Sequence, residues 1–311
     1  ALVVGALVVL GVDLMTGRRR TEAARLRTSA LLGLFAIALA TCSSLSAGHE
    51  GAIVDGVIIL DSLGLATRVG VLGLAGLTLL LAPGTCRLRN PAEFVAILLF
   101  ATSGFTLMAV AQQLLVAFLA LELASLSLYV LAGFDKTRPE SAEAALKYFL
   151  LGAISAAFLL FGFSLLYGLT GSLVLPDIAR HLATQQPSTL LMVALVMILV
   201  AFGFKAAAAP FHLWAPDVYQ GAPTAAAALI ASASKLAGFV LFTRLLWSGL
   251  VSASGDVSTL AGAPGWLPVA AAIAGFSLLL GNFVALAQTN VRRLLAYSAI
   301  AHAGALLLGV M

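Results

Sequence analysis

Charge is scarce in this chain. Asp, Glu, Lys and Arg together make up 10% of its 311 residues, where a soluble domain carries about 25%. Cysteine is nearly absent too: Cys42 and Cys86 are the only two, and no C-x-x-C pair occurs. That excludes a disulfide framework, a zinc site built on thiolates and any iron–sulfur cluster held by this chain's own cysteines. The four histidines, His49, His181, His212 and His302, do not cluster with Cys or carboxylates at ligand spacing, so no metal is expected. There is no G-x-G-x-x-G run and no Walker A run. Gly70, Gly73 and Gly76 are spaced wrongly for either and lie inside an apolar stretch, where their expected role is close helix packing. No basic stripe is interleaved with aromatics, so nucleic acid is not an expected partner. The chain is therefore expected to bring no cofactor of its own.

What it does have is apolar length. Hydrophobic residues are 61% of the sequence and the mean hydropathy is +1.08. A single soluble core has no room for so much apolar surface, so lipid must solvate it. A helix crosses a bilayer with about 20 apolar residues. Ten runs qualify: 1–15, 29–47, 63–82, 92–111, 114–134, 145–170, 190–209, 223–247, 266–287 and 294–311. They are continuous rather than alternating, which excludes a β-barrel and predicts an all-α integral membrane protein. The run at 1–15 reads as a clipped first helix rather than a signal peptide, because its basic cluster follows it. With Ala1 at one end and an apolar run reaching Met311 at the other, the chain reads as a piece of a longer protein.

Loop charge gives an orientation. Arg18, Arg19, Arg20, Arg25 and Arg27 fill the first connection. Arg87 and Arg89 lie in the third, Lys136, Arg138 and Lys147 in the fifth, and Arg292 and Arg293 in the ninth. The even connections hold only Arg180, and the second carries Glu50, Asp55 and Asp61. The positive-inside rule then places the odd connections in the cytoplasm and the N-terminus outside.

Few ionisable groups lie within the runs. Glu122 is the one acid at mid-run. Lys205 and Lys235 lie too deep to reach an interface, whereas Arg68 and Arg244 sit near run ends, where long side chains snorkel. Each buried charge costs at least about 2.5–3.5 kcal/mol on insertion scales. A Glu–Lys pair that only fixes helix register would need one lysine, and here there are two. Burial disfavours the charged form of an amine and a nearby carboxylate favours it. The Coulomb term is about 4 kcal/mol at 4 Å and an effective dielectric of 20, enough to switch a buried amine. Glu122, Lys205 and Lys235 therefore outline a proton relay. Glu122, Ser125 and Tyr129 share a helical face, and Thr224, Ser232 and Lys235 are placed on another. Such stripes serve either a water path or interhelical hydrogen bonds.

The stretch Phe202-Gly-Phe-Lys-Ala-Ala-Ala-Ala-Pro-Phe-His-Leu-Trp-Ala-Pro-Asp-Val-Tyr-Gln-Gly-Ala-Pro-Thr224 predicts a helix broken by Pro210 just after Lys205. Broken helices at membrane depth line cavities or are buried in protein, and transport sites use them. Lys205 falls at the negative end of the first half-helix. His212, with a reference pKa of about 6.5, is a candidate proton carrier, and His302 a weaker one. Lys147 reads as a surface partner of Glu143, four residues earlier, and as a candidate proton uptake point.

Four segments carry a family resemblance: Leu121-Glu-Leu-Ala-Ser-Leu-Ser-Leu-Tyr129, Leu146-Lys-Tyr-Phe-Leu-Leu-Gly-Ala153, the 205–224 stretch, and Gln288-Thr-Asn-Val-Arg-Arg-Leu-Leu-Ala-Tyr-Ser-Ala-Ile-Ala-His302. They resemble the antiporter-like subunits of respiratory complex I, the bacterial NADH-quinone oxidoreductase. The wording from Pro216 to Thr224 is similar to the subunit N branch rather than to branches L and M. The resemblance runs from about residue 90 to the end. It implies a fold of 14 helices with two inverted five-helix repeats and a broken seventh helix. Residues 1–91 would hold helices 1–3, 92–247 the first repeat, and 266–311 the start of the second. It implies that Glu122 and Lys205 form a pair that opens and closes, and that Lys235 stores the proton. Lys147 and His212 match further polar positions. Arg292 stands where the family usually has Lys. The twelfth-helix Lys that completes the family's relay has no counterpart here. FMN, iron–sulfur clusters, NADH and quinone would belong to partner subunits. Other membrane subunits, lipid and protons would be this chain's partners, in a bacterial inner membrane. A multi-subunit Na⁺/H⁺ antiporter or a membrane-bound hydrogenase shares the same core and is the alternative.

Overall fold

The computed structural model describes residues 1–16, 21–46, 51–54, 56–85, 90–185, 188–256 and 263–311. Arg18, Arg19, Arg20, His49, Glu50, Asp55, Cys86, Arg87 and Arg89 lie outside the described residues.

The ten apolar runs are all helical. They form α1 (Leu2–Thr16), α2 (Glu22–Ser46), α3 (Ser62–Thr85), α4 (Pro91–Met108), α5 (Leu114–Ala132) and α6 (Pro139–Thr170). After a short α7 (Leu175–Ala183) come α8 (Thr189–Ala206), α9 (Trp214–Gly221), α10 (Thr224–Ala231), α11 (Ala233–Arg244), α12 (Trp266–Leu286) and α13 (Val291–Val310). Among the described residues, nine spans are long and apolar enough to cross a bilayer, and Leu2–Met15 is a shorter tenth. The fold class is all-α, as the composition requires.

Helix α4 is the most enclosed span, with Phe94, Leu98, Leu99 and Phe105 fully buried. It packs on α5 through Gly104. A Cβ there would lie 2.7 Å from the backbone nitrogen of Ala124, so only glycine permits this approach. The packing role expected of Gly70, Gly73 and Gly76 does not hold as a set. Gly70 meets Leu236, but Gly73 has open space around it and Gly76 only ordinary contact.

The connections sort onto two ends of the bundle, and this supports the helix count independently of charge. At one end, β1 (Gly51–Ile53) pairs antiparallel with β2 (Ile58–Leu60), Ala52 opposite Ile59. The Ile59 N–H donates to the Val110 carbonyl at 2.9 Å, Gln112 N–H to Val57 at 3.0 Å, and Leu114 N–H to Leu173 at 2.8 Å. The second, fourth and sixth connections are thus laced by backbone hydrogen bonds. The hairpin was not expected from apolar runs alone, but it lies between spans, where polar backbone can be satisfied. Helix α7 lies in the sixth connection and buries Leu175, Ile178 and Leu182 on one face. Leu175 packs onto Gly249. At the other end, Lys147, Asp217 and Arg293 of the fifth, seventh and ninth connections meet.

Arg244 corrects an expectation. It does not snorkel. It is 6% exposed, donates to the Ala109 carbonyl at 2.8 Å and pairs with Asp61 at 2.5 Å. The polar ends of the hairpin connection and of α4 are within its reach, so an inward turn satisfies it better than the interface would. Burial by itself would raise the Asp61 carboxyl. The Arg244 guanidinium and the Gly64 N–H, 2.7 Å away, outweigh this and hold the group below its ordinary 3.8. Because the folded value is the lower one, the stabilisation is present above the unfolded value and lost as pH falls through the folded value. The thermal midpoint of the detergent-solubilised protein is therefore expected to drop below about pH 4. In Asp61→Asn that acid limb should flatten, with about 1–3 kcal/mol lost at neutral pH. A melt series from neutral to acid pH checks both.

Candidate functional site

The site is assembled from α5, α8, α11 and the break between α8 and α9. Helix α8 ends four residues before Pro210, not at it. Ala207 adopts the left-handed conformation with φ of 58°. The N–H groups of Ala207 and Ala208 turn back onto the carbonyls of Phe204 and Gly203, at 3.0 and 2.8 Å. The residues after Ala207 run as turns until α9 begins at Trp214. Lys205 thus sits in the last turn of α8, where the dipole favours a cation.

The freed backbone at the break is satisfied by two side chains, Trp214 and Ser277. Trp214 donates its indole N–H to the Phe204 carbonyl at 2.9 Å and stacks on Tyr148, with centroids 4.4 Å apart. The Ala209 N–H donates to Ser277 of α12 at 2.8 Å. Ser277 in turn donates to Ile273 at 2.6 Å.

Lys205 is 5% exposed and its Nζ donates to the Ser125 hydroxyl at 3.2 Å. Glu122 lies one turn before Ser125 on α5. Its Oε1 is buried and has no hydrogen-bond partner among the described residues. Carboxylate and amine share this neighbourhood without forming an ion pair within 4 Å. Tyr129, on the same face of α5, is held against α6. Its hydroxyl fills the space a side chain at Gly152 would need, 1.9 Å from a Cβ there.

The run at 223–247 is not one straight helix. It is interrupted at Ser232, whose φ and ψ are −114° and −80°, so Lys235 lies in the first turn of α11 rather than at mid-helix. Its Nζ donates to the Ala299 carbonyl of α13 at 2.8 Å. Thr224 is engaged elsewhere, accepting from Arg292 at 2.9 Å. Lys205 and Lys235 line one narrow cavity of about 10 Å³, closed by Gly238, Phe242, Ile273 and Leu307. On its other side Lys235 lines, with Ser232 and His302, an open cleft of about 590 Å³.

His212 is 8% exposed, and its Nδ1 lacks a hydrogen-bond partner among the described residues. Its ring lies 6.3 Å from that of Tyr297. The structure does not bring its side chain into a hydrogen bond with either buried lysine. Lys147 is at the bundle end with the basic connections. It pairs with Glu143 at 2.6 Å, as expected, and also with Asp217 at 2.7 Å. Arg293 reaches the other oxygen of Asp217 at 2.7 Å.

The chain as a whole has relatives among known proteins. A profile of the family described as NADH:quinone oxidoreductase/Mrp antiporter, transmembrane, matches residues 111–311. The chain belongs to this family. NADH-quinone oxidoreductase subunit N 2 of Acidobacterium capsulatum is 49% identical over all of this chain and 64% of its own length. Subunit N of Heliobacterium modesticaldum is 45% identical over 72% of this chain and 45% of its own length. Among solved structures, a chain of respiratory complex I from Thermus thermophilus superposes with a TM-score of 0.79 at 36% identity, covering 100% of this chain and 64% of that one. A chain of an archaeal membrane-bound sulfane sulfur reductase superposes at 0.77 with 23% identity, over 99% of this chain and 63% of that one, and it shares the fold. This antiporter-family chain thus spans just under two thirds of the length of these solved relatives.

Sequence reasoning missed four contributors to the site. Asp217 was the lone acid of a connection without basic residues, and two cations from neighbouring connections converge on it. Trp214 carries an N–H inside an apolar stretch, which normally demands a partner. Ser277 is one of two polar side chains, with Asn282, in the run 266–287. The Ala299 carbonyl left no mark in the sequence at all.

Proposed function

We propose that this chain is the proton-translocating core of subunit N of a bacterial NADH-quinone oxidoreductase. It would lie in the inner membrane with its N-terminus outside, and the charged cluster of Lys147, Asp217 and Arg293 would face the cytoplasm. NADH oxidation and quinone reduction would occur in other subunits, which would hold the FMN and iron–sulfur clusters. Residues 92–247 would be the first five-helix repeat and 266–311 the start of the second.

The observation that carries this reading is the arrangement of a buried Lys205 with half-buried Glu122 and Lys235 within the apolar spans. One carboxylate oxygen has no hydrogen-bond partner among the described residues, one amine rests on a hydroxyl, and the second amine rests on a carbonyl across a narrow cavity. A structural ion pair would have closed Glu122 onto Lys205 to offset desolvation. Left open, the pair responds to charge. Lys205 gains when it approaches Glu122 and releases a proton toward Lys235 when it withdraws. The names of the similar proteins support the NADH-quinone oxidoreductase setting over a free antiporter.

Glu122→Ala, introduced into the full-length subunit within the assembled complex, tests the reading. Proton pumping per NADH oxidised, measured in inside-out vesicles, is expected to fall while complex abundance stays unchanged. Unaltered pumping with the variant assembled would return these charges to a scaffolding role.

A further inference from the structure

Between buried Lys205 and half-buried Lys235 the space is small and mostly apolar. A cavity of about 10 Å³ has room for about one water molecule. Gly238 forms part of its wall. It lies one turn beyond Lys235 on α11 and faces the stem of Lys205. A Cβ built on Gly238 would lie 3.3 Å from Lys205 Cγ and 3.9 Å from its Cε. Glycine is not needed here for backbone conformation, because the residue is within α11. In a helix it is the poorer choice by roughly 1 kcal/mol relative to alanine. Its presence is accounted for by what its missing side chain leaves open. A methyl group at this point would press on the Lys205 stem, which Ser125 holds at the far end through 3.2 Å, and would take the volume that one water needs.

We infer that Gly238 is a positioning residue for proton transfer between Lys205 and Lys235, because the absence of its side chain keeps open the one-water space they share. The inference rests on the proton-relay reading above. The step it serves is balanced. The Lys205 ammonium gives a proton to the bridging water, the water gives one of its own to the neutral Lys235 amine, and no other donor is required. Lys235 can receive it while its N–H stays on the Ala299 carbonyl, since the amine's lone pair is free.

The test compares two substitutions of nearly equal bulk in the full-length subunit of the assembled complex. Gly238→Ala places a methyl in the space. Gly238→Ser places a hydroxyl there, which both donates and accepts and is able to take the water's part. The pumping rate in inside-out vesicles is expected to fall about tenfold or more in Gly238→Ala, and to stay within about threefold of the parent in Gly238→Ser. Ile273→Val removes a methyl from another part of the wall, on α12. Combined with Gly238→Ala, it is expected to restore most of the rate. If Gly238→Ala does not assemble, this double variant is read in its place, and a slow rate in it counts against the inference. Equal losses in the alanine and serine variants, or no loss in either, overturn it. Loss in Glu122→Ala together with normal rates in the Gly238 variants would sink the role of Gly238 and leave the relay standing. Normal rates in all of them would remove the relay itself.

Discussion

Lys205→Met, in the full-length subunit, is expected to reduce proton translocation by roughly 10²-fold, the scale at which a positioned acid–base group contributes. Methionine keeps the length and flexibility of the lysine stem, so the packing against Gly238 survives and only the proton-carrying amine is lost. The substitution also strands Glu122. Its Oε1 already lacks a hydrogen bond among the described residues, and without a cation nearby the carboxylate has nothing to offset its desolvation. In the proposed relay, two of the three groups would then be disabled. Lys205→Arg is expected to fail almost as completely. A guanidinium stays charged at every accessible pH, so it holds a proton without releasing one, and its planar head overfills a cavity of about 10 Å³. Pumping in inside-out vesicles, normalised to the assembled complex, is the measurement. A Lys205→Arg variant that pumps at the parental rate would show that this amine is a fixed charge and not a carrier.

The largest expected loss of stability is in Trp214→Ala. Trp214 is 2% exposed, lies flat on Tyr148 and caps the Phe204 carbonyl. Its truncation is expected to cost about 3–5 kcal/mol and to leave that carbonyl, one residue before Lys205, with the Ala207 N–H as its remaining donor. Trp214→Phe separates the two effects. The ring is largely kept and the N–H is lost, so its cost should be limited to about 0.5–1.5 kcal/mol, since the Phe204 carbonyl keeps the Ala207 N–H. Thermal melts of the purified full-length protein in one detergent rank the three forms. If Trp214→Phe proves as damaging as Trp214→Ala, the hydrogen bond governs the break. If it matches the parent, the stack does.

Much of this architecture is legible in the amino acids because lipid leaves few options. Long apolar runs must be helices, and their number follows from counting. The alternation of basic loops agrees with the two ends seen in the structure, where the second, fourth and sixth connections are laced by backbone hydrogen bonds and Lys147 meets Arg293 through Asp217. The candidate relay residues are legible for the same reason: Glu122, Lys205 and Lys235 are conspicuous against an apolar background. What the pattern hides are events involving no charge. Ala207, not Pro210, terminates α8, because a left-handed alanine reads like any other alanine. The interruption at Ser232 lies between residues with good helix propensity. Arg244 lies near a run end and so suggested an interfacial role, but its partner Asp61 is distant in sequence and becomes a neighbour only once α3 and α11 pack together.

Ser277 uses its single hydroxyl twice, donating a hydrogen bond to the Ile273 carbonyl of its own helix and accepting one from the Ala209 N–H. The loop that follows Lys205 is therefore fastened to α12, and Ile273 of that same helix forms one wall of the space between the lysines. A small turn of α12 about its long axis would loosen the fastening and reshape that wall in a single movement. Displacement of one distant span would then be felt by both amines at once, as by two latches on one shaft.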